Sequence, residues 1–82
     1  MQEGIYSTTD FYTTAMLIAQ RYEVKQVTSE GPSGRVKRFH FTNNDELQKI
    51  VMKYMNGSLE GNLKDFKNAI ETVKDLVHSS SW

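Results

Sequence analysis

The chain has 82 residues with ten basic and ten acidic side chains, so it carries no net charge, and it has no cysteine. This length predicts one small domain, and the lack of cysteine excludes a disulfide framework and a thiolate metal site. The longest apolar run is Ala15 to Ala19, which is far too short to span a membrane, and the first residues lack the features of a signal peptide. We therefore expect a cytoplasmic protein with no membrane contact.

The first predicted element is a helix from about Asp10 to Arg21. A cluster of capping residues, Ser7 to Asp10, precedes it, and Ile5 and Tyr6 before the cluster are expected to fold back as a hydrophobic staple. Apolar residues then recur at helical spacing, namely Phe11, Ala15, Ile18, Ala19 and Tyr22.

The next segments predict an antiparallel β-hairpin. Residues 23–29 and 36–41 have the valines, threonines and phenylalanines of strands, and the glycines and proline of residues 30–34 indicate a turn. If this five-residue loop is the whole connection, Ser29 lies opposite Arg35. That register defines one face that the helices cover: Lys25, Val27, Lys37, Phe39 and Phe41. The other, uncovered face carries Tyr22, Val24, Gln26, Thr28, Val36, Arg38 and His40.

Two amphipathic helices complete the predicted fold. Asn43 is the predicted N-cap of the second helix and forms a capping box with Glu46, and Gly57 ends this helix. Its apolar stripe comprises Leu47, Ile50, Val51, Tyr54 and Met55. The third helix begins after its predicted N-cap, Asn62, and runs to about Val77. Its stripe comprises Leu63, Phe66, Ile70, Val73 and Val77, supplemented by Ala69 and Leu76.

The resulting fold class is α+β, in the order α-β-β-α-α, with an antiparallel hairpin packed against three helices. Residues 1–82 form one domain, with an ordered core over about residues 6–77 and a frayed tail over residues 78–82. Leu47, Phe66 and Ile70 are expected among the most buried side chains, since they lie centrally in the two strongest stripes.

The residues that carry chemistry in enzymes are sparse in this sequence. His40 and His78 are the only histidines, and the adjacent Asp45 and Glu46 are accounted for by helix capping. The glycine pairs match no phosphate-binding loop. We therefore expect no catalytic residues, no metal and no cofactor, and hence a protein that is not an enzyme.

The uncovered face of the hairpin supplies the candidate contact residues: Tyr22, Gln26, Val36, Arg38 and His40. Three interpretations of this face remain open. It is a contact for another protein, including a second copy of the chain, or it is a solvated sheet face. Alternatively it belongs to a nucleic-acid-binding module, because residues 21–40 contain five basic and two acidic side chains, a local net charge of +3.

Three segments carry a resemblance to a known family: YSTTDFYTTAMLIAQRYEV, FHFTNNDELQKIVMKYMNG and FKNAIETVKDLV. With its apolar spacing, capped second helix and NAI sequence in the third, the chain resembles a family of small domains of unknown function encoded by phages, mobile elements and bacteria. The likeness covers about Tyr6 to Val77. It implies a compact stand-alone module and a phage or mobile-element origin, and it brings no activity or site residues with it.

Overall fold

A computed structural model describes residues 4–78 of the chain and confirms the α+β class. Its six elements are β1 (Ile5–Thr8), α1 (Phe11–Ala19), β2 (Gln26–Glu30), β3 (Val36–Thr42), α2 (Asp45–Met55) and α3 (Leu63–His78). The predicted three helices and hairpin are present, and one strand precedes them. Of the predicted frayed tail, residue 78 ends α3, and residues 79–82 lie outside the described residues.

The additional strand, β1, makes the sheet three-stranded and antiparallel in the order β1-β3-β2. Tyr6 lies opposite Phe41, and the Asn43 N–H donates to the Gly4 carbonyl at 3.0 Å just beyond the strand. The predicted hydrophobic staple is therefore wrong. The residues that were assigned to it pair with a strand more than 30 residues away along the chain, and no local pattern signals that pairing.

The hairpin loop lies one residue later in the chain than predicted, so each residue of β2 pairs with a residue two positions further along β3. Glu30 lies opposite Val36, and Ser29 faces Lys37 instead of Arg35, because Glu30 belongs to β2 and the loop runs over residues 31–35. This shift of two positions leaves the side chains of residues 26–29 and 36–41 on their predicted faces. Val27, Phe39 and Phe41 are accordingly buried under the helices, as predicted.

Strand β2 begins three residues later than predicted, at Gln26. The Lys25 N–H donates to the His40 carbonyl at 2.7 Å although Gln26 is the residue opposite His40. Two residues thus face one, which is the pattern of a β-bulge and separates residues 22–25 from the regular sheet.

Helix α1 is the central helix of the core. Five consecutive residues, Thr13 to Leu17, are buried, so the helix is covered on more than the single stripe that the sequence predicted. Phe11, Ile18 and Ala19 of that predicted stripe are only half-buried. Asp10 is the N-cap and accepts from the Thr13 N–H at 2.9 Å.

The caps of α2 and α3 define both helices. Asn44, not Asn43, is the N-cap of α2, because its Oδ1 accepts from the Leu47 N–H at 2.7 Å. At the other end Gly57 has a φ of 73°, and its N–H donates to the Tyr54 carbonyl while the Ser58 N–H donates to the Lys53 carbonyl. This pair of hydrogen bonds is a Schellman motif. Asn62 caps α3 as predicted, since its Oδ1 accepts from the N–H groups of Lys64 and Asp65.

The helices form one layer over one face of the sheet, and the molecule measures 35 × 33 × 19 Å. Leu47 is fully buried as predicted, but Phe66 and Ile70 are only half-buried, so that part of the prediction is wrong. The buried residues of α3 are Ala69 and Val73, and α3 packs mainly against α1. Ala69 and Val73 lie in the core, and the larger Phe66 and Ile70 pack against its margin.

Candidate functional site

The face of the sheet opposite the helices is the candidate site, and we call it the open sheet face. It carries the alternate residues of all three strands: Ile5, Ser7, Gln26, Thr28, Glu30, Val36, Arg38, His40 and Thr42. Because directly opposed residues of antiparallel strands share a face, the register alone places these nine side chains together.

Arg38 lies at the centre of the open sheet face and contacts both edge strands. Its Nε donates to Glu30 Oε2 at 2.5 Å in β2, and its Nη1 donates to Ser7 Oγ at 3.2 Å in β1. The hydrogen bond from Arg38 holds the pKa of the Glu30 carboxyl below its ordinary value, and the same bond raises the pKa of Arg38. The guanidinium group therefore cross-links the three strands on their solvent side.

His40 is also held on this face by a neighbouring strand. Its Nε2 lies 2.9 Å from the Thr28 hydroxyl, and Gln26 lies directly opposite it. Thr28 and His40 are half-buried, whereas Gln26 is exposed. The imidazole thus has a defined position, with an exposed amide beside it.

Two apolar side chains stand at opposite ends of the open sheet face. Ile5 is 63% exposed in β1 and Val36 is 46% exposed in β3. Ile5 lies opposite Thr42, six residues along β3 from Val36, which separates the two by about 20 Å along the strand. The face therefore offers a polar, hydrogen-bonded centre between two apolar ends.

The structure brings together four of the five predicted contact residues: Gln26, Val36, Arg38 and His40. Tyr22 is not among them, because it precedes the bulge and lies outside the strands. Its hydroxyl donates to Glu46 Oε1 at 3.0 Å. The pKa of Tyr22 is raised mainly by burial and further by this hydrogen bond to the Glu46 carboxylate.

Sequence reasoning missed four residues of the face. Ile5 and Ser7 were missed with strand β1, Glu30 was placed in the turn, and Thr42 lies one residue beyond the predicted end of the second hairpin strand. The β-branched and aromatic composition of Ile5 to Thr8 was the one available signal for a strand, and it is only four residues long.

The basic residues of the hairpin do not form a continuous patch on this face. Lys25 pairs with Glu23 at 2.8 Å, Arg38 pairs with Glu30, and Lys37 lies on the helix-covered side of its strand. The aromatic residues of β3, Phe39 and Phe41, are buried beneath the helices. A stacking platform for nucleic acid requires exposed aromatic side chains beside cations, and the nine residues of the open sheet face include no phenylalanine, tyrosine or tryptophan. Their one aromatic ring is the half-buried imidazole of His40.

Among residues 4–78, no group of three or more His, Asp or Glu side chains is placed to hold a metal ion. No helix among these residues has the length and apolar character needed to cross a membrane.

Comparison with known proteins gives one match. The model of a family described as Domain of unknown function (DUF5659) matches residues 3–79, which includes all six elements of the fold. No curated protein matches the chain, and no solved structure matches it.

Proposed function

The chain belongs to this family of domains of unknown function, and we propose that it is a non-enzymatic binding protein whose open sheet face contacts another protein. The observation that carries the proposal is the composition of that face. Exposed Ile5 and Val36 stand at its two ends, and Arg38 and His40 are held between them by hydrogen bonds.

This arrangement resembles the composition of protein interfaces in two respects. Interfaces combine apolar contact with arginine and with oriented hydrogen-bonding groups, and rigid side chains lose less conformational entropy on binding. Arg38 is held by Glu30 and Ser7 before any partner arrives, so its position costs little additional ordering. Isolated apolar residues are common on protein surfaces, so the argument rests on their position beside this ordered polar centre.

A second copy of the chain is the partner to test first. The strand order leaves β1 and β2 as the two edges of the sheet, and edge strands present backbone donors and acceptors to further strands. Pairing of two copies along an edge would extend the sheet and bring two open faces side by side. The proposal therefore includes a homodimer as one form of the protein contact.

The decisive experiment compares the parent chain with two double variants, one on the open sheet face and one on α2. The double variant Ile5→Lys with Val36→Lys changes both apolar ends of the open sheet face, and Lys49→Glu with Lys53→Glu changes two exposed residues of α2 as a control. Light scattering over a concentration series measures self-association, and affinity capture from the native host measures other partners. We expect the face variant to lose the association and the α2 variant to retain it.

Two results together refute the proposal. If the parent chain is monomeric at every concentration and the face variant captures the same proteins as the parent, the open sheet face is a solvated surface. Circular dichroism of both variants confirms that each remains folded, so a loss of association is not a loss of structure.

The proposal also includes a cytoplasmic location and a phage or mobile-element origin. The location is supported by the absence of any long apolar run in the sequence. The origin is supported only by the resemblance of the three quoted segments to domains encoded by phages and mobile elements. Nucleic-acid binding by the hairpin is not favoured by a specific contact, since two of its basic side chains are paired with glutamates.

A further inference from the structure

A cleft on the helical side of the molecule lies away from the open sheet face. It has a volume of about 340 Å³ and lies where the C-terminal ends of α1 and α2 meet the beginning of α3. Its lining is drawn from these three helices and the loop between α2 and α3, and it includes Gln20, Tyr54, Leu59, Gly61, Leu63 and Phe66.

Several apolar side chains that the core leaves exposed or half-buried line the cleft. Leu63 is 86% exposed and Phe66 is only half-buried, although both belong to the apolar stripe of α3. Leu59 and Tyr54 are also half-buried, and Met16 of α1 is buried. Apolar residues gathered around a concave site are typical of small-molecule sites.

The polar groups of the cleft are mainly neutral. Gln20 Nε2 reaches the Glu60 carbonyl at 3.4 Å, which is a long hydrogen bond that a better acceptor can replace. The Gln20 amide can therefore orient a ligand that offers a hydrogen-bond acceptor.

The charge of the lining restricts the ligand further. Among residues 4–78, no lysine, arginine or histidine lines the cleft, and Glu60 is the one acidic residue that does. A carboxylate or phosphate ligand would lack a cation to replace its hydration, so fatty acids and nucleotides do not fit this site. The volume lies at the lower end of the range of about 300 to 1,000 Å³ for ligand sites, which suits a compact molecule of one or two rings.

We infer that this cleft binds a neutral, largely apolar small molecule that accepts a hydrogen bond from Gln20. The ligand would cover Leu63 and Phe66 and so complete the apolar stripe of α3. This inference is independent of the proposed contact at the open sheet face.

The test uses 6-propionyl-2-(dimethylamino)naphthalene, a neutral probe with two fused rings and a ketone oxygen that accepts hydrogen bonds, titrated against the full chain; its emission shifts to the blue in apolar surroundings. We expect a blue-shifted signal that saturates at one probe per chain. Gly61→Leu should weaken binding by about tenfold or more, because the introduced leucine side chain would occupy the cleft. The backbone of Gly61 is outside the left-handed region, and an added Cβ would lie 3.3 Å from Gln20 Nε2, the end of a flexible side chain. The fold can therefore accept this variant.

Lys49→Leu is the matched control, since it adds the same side chain at an exposed position of α2 that does not line the cleft. It should bind the probe as tightly as the parent chain. Leu63→Glu provides a second variant at a highly exposed position and should also weaken binding by about tenfold or more, because it places a charge at the cleft. If Gly61→Leu fails to fold, Leu63→Glu alone decides the result.

Three results would overturn the inference. The first is a probe signal that does not saturate, and the second is unchanged binding by Leu63→Glu or by folded Gly61→Leu. The third is self-association that Leu63→Glu abolishes and the probe competes with, which would make a second copy the occupant of the cleft. Ile5→Lys with Val36→Lys should leave probe binding unchanged, so failure of the proposed function and failure of this inference are distinguishable.

Discussion

The N-cap of α2 gives the sharpest test of the fold, because two adjacent asparagines have different roles there. Asn44 Oδ1 accepts from the Leu47 N–H at 2.7 Å, and Leu47 is fully buried. Asn43 Oδ1 instead accepts from Gln48 Nε2 at 2.8 Å, and its backbone N–H extends the sheet toward Gly4. Asn44→Ala removes a cap, whereas Asn43→Ala removes only a hydrogen bond between two side chains.

The expected losses follow from these contacts. Losing an N-cap asparagine costs about 1 kcal/mol of unfolding free energy, within a range of about 0.5 to 2 kcal/mol. In a domain of this size that loss lowers the melting temperature by about 4 to 8 °C. Asn43→Ala should cost about 0.5 kcal/mol, because the Asn43 N–H remains available to the Gly4 carbonyl.

Urea unfolding followed by circular dichroism at 222 nm compares the parent with both variants. Asn44→Asp serves as a rescue, since a carboxylate accepts the same N–H and is favoured by the helix dipole at this end. Asn44→Asp should recover most of the loss caused by Asn44→Ala. A larger loss for Asn43→Ala than for Asn44→Ala would refute the assigned start of α2 and restore the cap predicted from the sequence.

The remaining predictions use the same unfolding assay. Leu47→Ala should lower the unfolding free energy by about 2 to 5 kcal/mol because this side chain is fully buried. Phe66→Ala should lower it by less, because Phe66 is half-buried and lines an open cleft. A larger loss for Phe66→Ala would show that α3 packs differently. Gly57→Ala should cost about 1 kcal/mol because its φ of 73° disfavours a side chain, and a neutral result would place the end of α2 elsewhere. The pKa of Glu30 is lowered by Arg38, so its contribution to stability is present above the ordinary pKa of 4.5 and is lost as the pH falls below it. Glu30→Gln should remove this part of the acid dependence while other carboxylates keep theirs, and an unchanged pH profile would argue against the ion pair.

Local signals were sufficient wherever neighbouring residues determine the structure. Helix ends lie at or next to the predicted positions, with Asp10 and Asn62 at helix starts and Gly57 after the end of α2. Caps are predictable because they depend on hydrogen bonds within one turn of the chain. The buried face of the hairpin was also predicted correctly. Phe39 and Phe41 occupy alternate positions of one strand, and that alternation selects a face even when the loop is displaced by one residue.

The candidate site was predicted only in part, for a related reason. Gln26, Arg38 and His40 lie on the hairpin, so strand alternation placed them together. Tyr22 was assigned to the same strand, but the bulge at Lys25 interrupts the sheet before reaching it. Ile5 and Ser7 join the face through pairing with a distant strand, and the short strand signal of these residues does not specify that partner.

By itself, the sequence determined the α+β class, the three helices, the hairpin and the face that the helices cover, since periodicity and capping act over a few residues. The tertiary structure decided the partners of these elements. Pairing with β3 made a strand of Ile5 to Thr8, and packing from several sides buried Thr13 and Thr14 in α1. The close contact of α3 with α1 buried Ala69 in preference to Phe66. Burial depends on which surfaces meet, and the chain brings those surfaces together over distances that local sequence patterns do not encode.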